Sequence, residues 1–172
     1  MATTFVKIAT VTVGAGGAST IDFSSIVGTY TDLCVKLSMR VNAGSGGYQT
    51  YVRFNSDSGA NYNWRNLLGT GSSAVSQNTS GDTGMRITMS NSSGDTASTF
   101  SNSELYIPNY AGSTAKSVSA DGVSENNATA ATADLAAGLW TGTAAITAIS
   151  IFASGANFVQ YSTATLYGIS KS

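Results

Sequence analysis

The chain has 172 residues, with 8 basic and 9 acidic side chains and a formal charge of −1. It has no His and a single Cys, Cys34, which excludes Ser-His-Asp and Cys-His nucleophiles, His-ligated metals, internal disulfides and Cys-cluster zinc sites. Near-zero charge gives no basic footprint for nucleic acid, and no apolar run approaches the ~18 residues of a membrane-spanning helix.

The first strand is expected over Phe5 to Val13, where apolar residues appear on both faces (Phe5, Val11 and Val13; Val6 and Ile8). Both faces buried is what a strand at a subunit contact shows. Gly14-Ala15-Gly16-Gly17 then turns into a second strand, Ser19 to Phe23. No lysine follows these glycines and no helix opens after them, so a hairpin turn is expected, not a phosphate cradle. Ser24 to Val27 has room for one helical turn. From Asp32 to Val41 the alternation is strict: Leu33, Val35, Leu37, Met39 and Val41 point one way, Cys34, Lys36, Ser38 and Arg40 the other. A period of two marks a half-buried strand.

Further strands are expected at Tyr48 to Phe54, Asn61 to Leu68, Met85 to Met89, Phe100 to Ile107, Lys116 to Val123, Ala145 to Phe152 and Tyr161 to Ile169. Gly69 to Gly84 has one isolated Val75 and no period, and reads as a long exposed loop, with a second loop over Asn91 to Ser98. Ala128 to Ala137 is Ala-rich without a 3.6-residue apolar face, and reads as a loop entering a strand near Leu139 and Trp140. Nine or ten short strands separated by turn formers predict one all-β domain over 1–172, an antiparallel β-sandwich of jelly-roll type. Surface scaling lets a chain of this size bury about two-thirds of its surface. Its 26 Ser, 22 Thr, 12 Asn and 19 Gly make hydroxyl and amide groups, not ions, the solvating surface.

Acid–base chemistry is left to carboxylates. Asp22, Asp32, Asp57, Asp82, Asp95, Asp121, Glu104 and Glu125 are scattered, most beside Gly or Ser, where a side-chain oxygen caps its own turn. Asn78 to Gly84 and Asn91 to Asp95 are two Asx/Gly turns with one carboxylate each, against the several hard oxygen ligands calcium takes. Plain turns are expected over a calcium site at 78–95, and no catalytic residue, metal or cofactor is assigned. Tyr62, Trp64 and Arg65 form the densest cluster of the types enriched at interfaces and are the candidate partner-binding residues. The competing expectation is that Trp64 is core.

Several stretches together resemble small virion proteins of tailed bacteriophages. They include Ile8 to Gly14 with Gly17 to Phe23, Gly28 to Leu33, Val52 to Tyr62, Leu105 to Tyr110, Gly138-Leu139-Trp140, Ile146 to Ile151 and Leu166 to Ile169. Val27 stands where Pro is usual before Gly28. The resemblance implies a β-sandwich module of the virion exterior, commonly trimeric, without deciding between head and tail. No long shaft is expected within 172 residues, which favours a compact cap on a shell. The expected function is therefore a capsid decoration (cement) protein, a homotrimer on the outside of the major capsid protein lattice. No nucleic acid or membrane partner is expected. The N-terminus lacks the pattern of a secretory signal, so synthesis in the host cytoplasm is expected. The alternative is a receptor-binding tip of a tail fibre recognising host glycan. A glycan-degrading enzyme is the least favoured reading.

Overall fold

The computed structural model describes residues 4–127 and 131–170. Over these residues the chain is all-β, without a helix. Its twelve strands are β1 (Phe5–Thr12), β2 (Thr20–Phe23), β3 (Asp32–Val41), β4 (Tyr48–Phe54), β5 (Tyr62–Gly69), β6 (Ala74–Asp82), β7 (Met85–Ser92), β8 (Ser101–Ile107), β9 (Lys116–Val123), β10 (Ala133–Trp140), β11 (Ile149–Ala153) and β12 (Thr163–Ile169).

The strands lie in two layers. A large antiparallel sheet runs β1-β12-β3-β8-β9-β10-β5-β6, and a small one runs β2-β11-β4-β7. They join where Arg40 and Val41 of β3 pair in parallel with Asn91 and Ser92 of β7. The small sheet lies over β9, β10 and β5, so the architecture is sandwich-like: the Phe54 ring on β4 stands 5.6 Å from the Trp140 ring on β10. Two inward glycines set the spacing. A Cβ at Gly138 would lie 2.1 Å from Met85 Sδ, and one at Gly122 would lie 2.1 Å from Thr88 Oγ1. Only bare backbone allows β7 to come this close. The core between the layers holds Leu33, Val35, Leu37, Met39, Val52, Phe54, Leu105, Ile107, Trp140, Ile149, Ile151 and Leu166, each on the inward parity of its strand.

The structure corrects several expectations in detail. The described residues form twelve strands, not nine or ten. Most of Gly69 to Gly84 is β6, an edge strand paired to β5 along its length. It shows no apolar period because its inward residues meet polar or partly covered neighbours: Gln77 bonds the buried Arg86, and Thr79 pairs with Trp64. The second expected loop is only partly a loop. Asn91 and Ser92 finish β7 fully buried, and Arg40 pins the rest by donating to the carbonyls of Asp95, Thr96 and Thr99. β10 begins at Ala133, well before Leu139; Ala128 to Ala130 of the expected loop lie outside the described residues. Its parity is inverted, with small or polar Asp134, Ala136 and Gly138 inside and Leu135 and Leu139 outside. The strand expected from Ala145 starts at Ile149, and Gly14 to Gly17 is a crossover between the sheets, not a hairpin turn, since β1 pairs with β12 and β2 with β11. Ser24 to Val27 forms no helical turn; its backbone is held by Ile26 N–H donating to the Thr147 carbonyl at 2.9 Å.

β1 is the other edge of the large sheet. Its two-faced apolar pattern has a local cause, since the pairing to β12 skips Ile8 between Lys7 and Ala9. A bulge of one residue reverses the side-chain parity beyond it. Val6, Ala9 and Val11 therefore share the inward face, paired with Gly168, Leu166 and Ala164. Of the apolar residues in the pattern, Phe5 remains outside, its ring 4.7 Å from that of Tyr167.

Candidate functional site

The fold separates the three residues singled out for partner binding. Tyr62 is fully buried, and its hydroxyl donates to the Asp57 carbonyl at 3.0 Å and accepts from Phe54 N–H at 2.9 Å. Burial pushes its phenol up to about 12. Trp64 is 7% exposed, and its Nε1–H donates to Asp82 Oδ2 at 2.8 Å. Its placement matches the competing expectation of a core residue. Arg65 alone reaches solvent, on the outer face of the large sheet. The cause is the period of two: Tyr62 and Trp64 share the inward parity and Arg65 the outward one.

The ionisable residues are largely committed to holding the fold. Arg86 and Asp134, side chains each 1% exposed, pair at 2.8 Å in the gap between the sheets. Asn66 bridges them, accepting from Arg86 Nη1 and donating to Asp134 Oδ1, both at 3.0 Å. Burial pushes the Asp134 carboxyl up, with the Arg86 charge and the Asn66 hydrogen bond opposing. Lys116 is buried against the Trp140 ring, and its ammonium donates to the carbonyls of Gly112 and Thr114; burial pulls its pKa down.

Some of the carboxylates serve their own turns, whereas Asp32 accepts from the Tyr106 hydroxyl and Asn109 N–H, Glu104 pairs with Lys36 and Asp121 lies within β9. Asp57 accepts from Trp140 Nε1 at 2.7 Å, Gly59 N–H and Asn61. Chiefly through the Trp140 bond, its pKa lies below the ordinary value. Asp95 accepts from Gly46 N–H and from Ser92 N–H and Oγ. Burial acts against its charge, yet these bonds hold its pKa down. In the stretch considered for calcium, Asp82 bonds Trp64 and Thr83, and Asp95 bonds Gly46 and Ser92. Among the described residues, no three acidic, Cys or His side chains gather as a metal-holding group.

A different cluster forms on the outer face of the small sheet. Pairing of β4 with β11 sets Tyr51 opposite Phe152 and Arg53 opposite Ser150, with Asp22 of β2 next in that row. The Tyr51 and Phe152 rings stack at 5.5 Å, and the Arg53 guanidinium lies 4.3 Å over Phe152. Arg53 is held by donating from Nε to the Thr83 carbonyl at 2.6 Å. All three side chains are half-buried, fixed on one side and open on the other. Beside Tyr51, an open cleft of about 490 Å³ at the β6 edge is lined by Gln49, Trp64, Gln77, Asn78, Thr79 and Asp82. These residues come from strands far apart in sequence. Tyr51 and Arg53, two residues apart on β4, share a face, but only strand pairing brings Phe152 beside them.

The opposite side of the sandwich is chemically different. The outer face of β9, β10 and β5 exposes Val123, Leu135, Leu139 and Leu67. Comparison with protein-family models, with curated proteins and with solved structures gave no match.

Proposed function

We propose that this chain is a structural protein of a bacteriophage virion, a decoration protein that binds the outside of the major capsid lattice as a homotrimer. It acts by binding, not catalysis. The observation that carries the reading is the Tyr51–Phe152–Arg53 stack. Rigid aromatics with an arginine, open on one side, are the composition of protein-binding hot spots. Their side chains are ordered by the sheet before contact, so little rotamer freedom is lost on docking. The resemblance of the sequence to phage virion proteins supplies the partner. This reading moves the shell contact from Tyr62, Trp64 and Arg65 to the small sheet, because two of those three are interior.

A protein that binds only the assembled lattice stabilises it by mass action. At a free concentration about 100 times Kd, each site contributes roughly 2.7 kcal/mol. Copy number in purified virions tests the location: hundreds per particle place the protein on the head, a handful on the tail. Tyr51→Ala with Arg53→Ser is expected to leave a folded protein that no longer decorates shells. Undiminished decoration by that variant would move the contact elsewhere.

The second reading, a receptor-binding tip for host glycan, is favoured by one feature, the polar cleft beside Tyr51 with its amides and Asp82. Under that reading Gln77→Ala abolishes binding to host surface polysaccharide, and the virion holds only a few copies.

A further inference from the structure

The outer face of the large sheet carries a pattern with no use inside one copy. Down the middle strand, β10, the outward residues are Ala133, Leu135, Ala137 and Leu139, without a charge or a hydroxyl. Leu135 is 60% exposed, and Leu67, its cross-strand neighbour on β5, is 53% exposed. Leucine is not what a solvated sheet face selects. Two single charges flank this row. Arg65 on β5 stands beside Ala137, and Asp121 on β9 stands beside Leu135. Among the described residues neither has a salt-bridge partner within the chain, and Asp121 even neighbours Glu104, whose own partner is Lys36.

We propose that this face packs around a threefold axis against two further copies of the chain, with Arg65 of each copy meeting Asp121 of the next. The inference rests on the reading of the protein as a trimer and names the surface that makes it. Three arguments lead to it. First, the apolar row widens onto Leu67 and Val123 only at its Ala133–Leu135 end and narrows to β10 alone at Ala137 and Leu139, where Ser117 and Ser119 on β9 and Asn63 and Arg65 on β5 border it. A two-fold face-to-face packing covers a whole sheet face and needs a broad apolar surface. Around a threefold axis only the central strand reaches the axis, and the flanks meet each other. Second, the flanks are complementary in the sense a ring requires. The basic residue lies on one side of β10 and the acidic one on the other, so a head-to-tail contact repeated three times pairs every charge and closes. Third, Arg65 and Asp121 are offset by one two-residue step along the strands, roughly 7 Å, which the long arginine side chain spans. The small sheet, with Tyr51, Arg53 and Phe152, then points away from the axis and stays free.

The test is the mass in solution. Light scattering after size exclusion is expected to give three times the chain mass for the wild type and the chain mass for Leu135→Glu. Leu135 is exposed, so unchanged circular dichroism is expected for the single chain. Arg65→Asp and Asp121→Arg are each expected to raise the concentration at which the trimer dissociates by ~10-fold or more, and the double swap to restore it to within ~3-fold. A wild-type monomer or dimer, a Leu135→Glu trimer, or a double swap no better than either single one overturns the proposal. Copies per virion are counted separately, so a trimer through this face can stand while the capsid reading falls. A wild-type monomer that loses shell binding on Leu135→Glu would assign the leucine row to the shell.

Discussion

Replacing Asp134 by Ala leaves the Arg86 guanidinium in the dry gap between the sheets without its counter-charge. The two side chains are each 1% exposed and pair at 2.8 Å. Asn66 Nδ2, which donates to the same carboxylate, loses its acceptor in the same step. Breaking a buried pair from one side costs about 3–5 kcal/mol, most of it the penalty of an uncompensated buried charge. For a chain of this size each kcal/mol moves Tm by about 2–4 °C, so the expected drop is roughly 6–20 °C. Removing both charges, Arg86→Met with Asp134→Leu, leaves only the amides of Asn66 and Gln77 short of partners. The expected cost is then about 1–2 kcal/mol, far below the sum of the single variants. The measurement is urea unfolding at one fixed protein concentration, followed by the fluorescence of Trp64 and Trp140. Trp64 lies 5.9 Å from the Arg86 guanidinium and reports the network directly. A single variant costing under about 1 kcal/mol, or single costs that simply add in the double variant, would refute the coupling.

Trp64→Ala is expected to cost about 3–5 kcal/mol as a core truncation, read from the same urea curves, and any loss of shell binding should follow the loss of fold. Gly138→Ala should destabilise by about 1–3 kcal/mol through overpacking against Met85, and Met85→Ala in the same chain should recover part of it. Stability should also depend on acid. Asp57 and Asp95 have folded pKa values below their ordinary 3.8, so their contribution is complete above that value and disappears as pH falls through the folded values. Thermal midpoints measured from neutrality into acid should fall there, and fall less steeply for Asp57→Asn with Asp95→Asn; an identical slope would show that these carboxylates are not the source. Deleting 72–83 removes β6 and uncovers Trp64, so it should lower the thermal midpoint and raise the Trp64 fluorescence response to quenchers.

The all-β class was legible in the chain because alternation is a local property. Leu33 to Val41 shows by itself that one side is buried, and β9 repeats the pattern over Ser117 to Asp121, with a buried Lys116 and an exposed Val123 breaking it at its ends. The turn roles of Asp57 and Asp95 were legible for the same reason: Asp57 reaches Gly59 and Asn61, and Asp95 reaches Ser92, all within four residues, whereas their bonds from Trp140 and Gly46 were not. What failed were positions where a distant neighbour sets the residue type. β6 has no apolar period because its inward Gln77 answers Arg86 on another strand. β10 is inverted because Arg86 demands Asp134 inside and Met85 demands Gly138, which leaves leucines outside. β1 looked two-faced because pairing with β12 inserts a bulge at Ile8. The surfaces that bear on function are of this second kind. Tyr51 meets Phe152, and Arg65 and Asp121 come to flank one leucine row, only through strand pairing across long stretches of chain. Side-chain parity is written in the sequence one residue at a time, whereas strand order is decided by which faces bury each other best. Tertiary packing makes that choice.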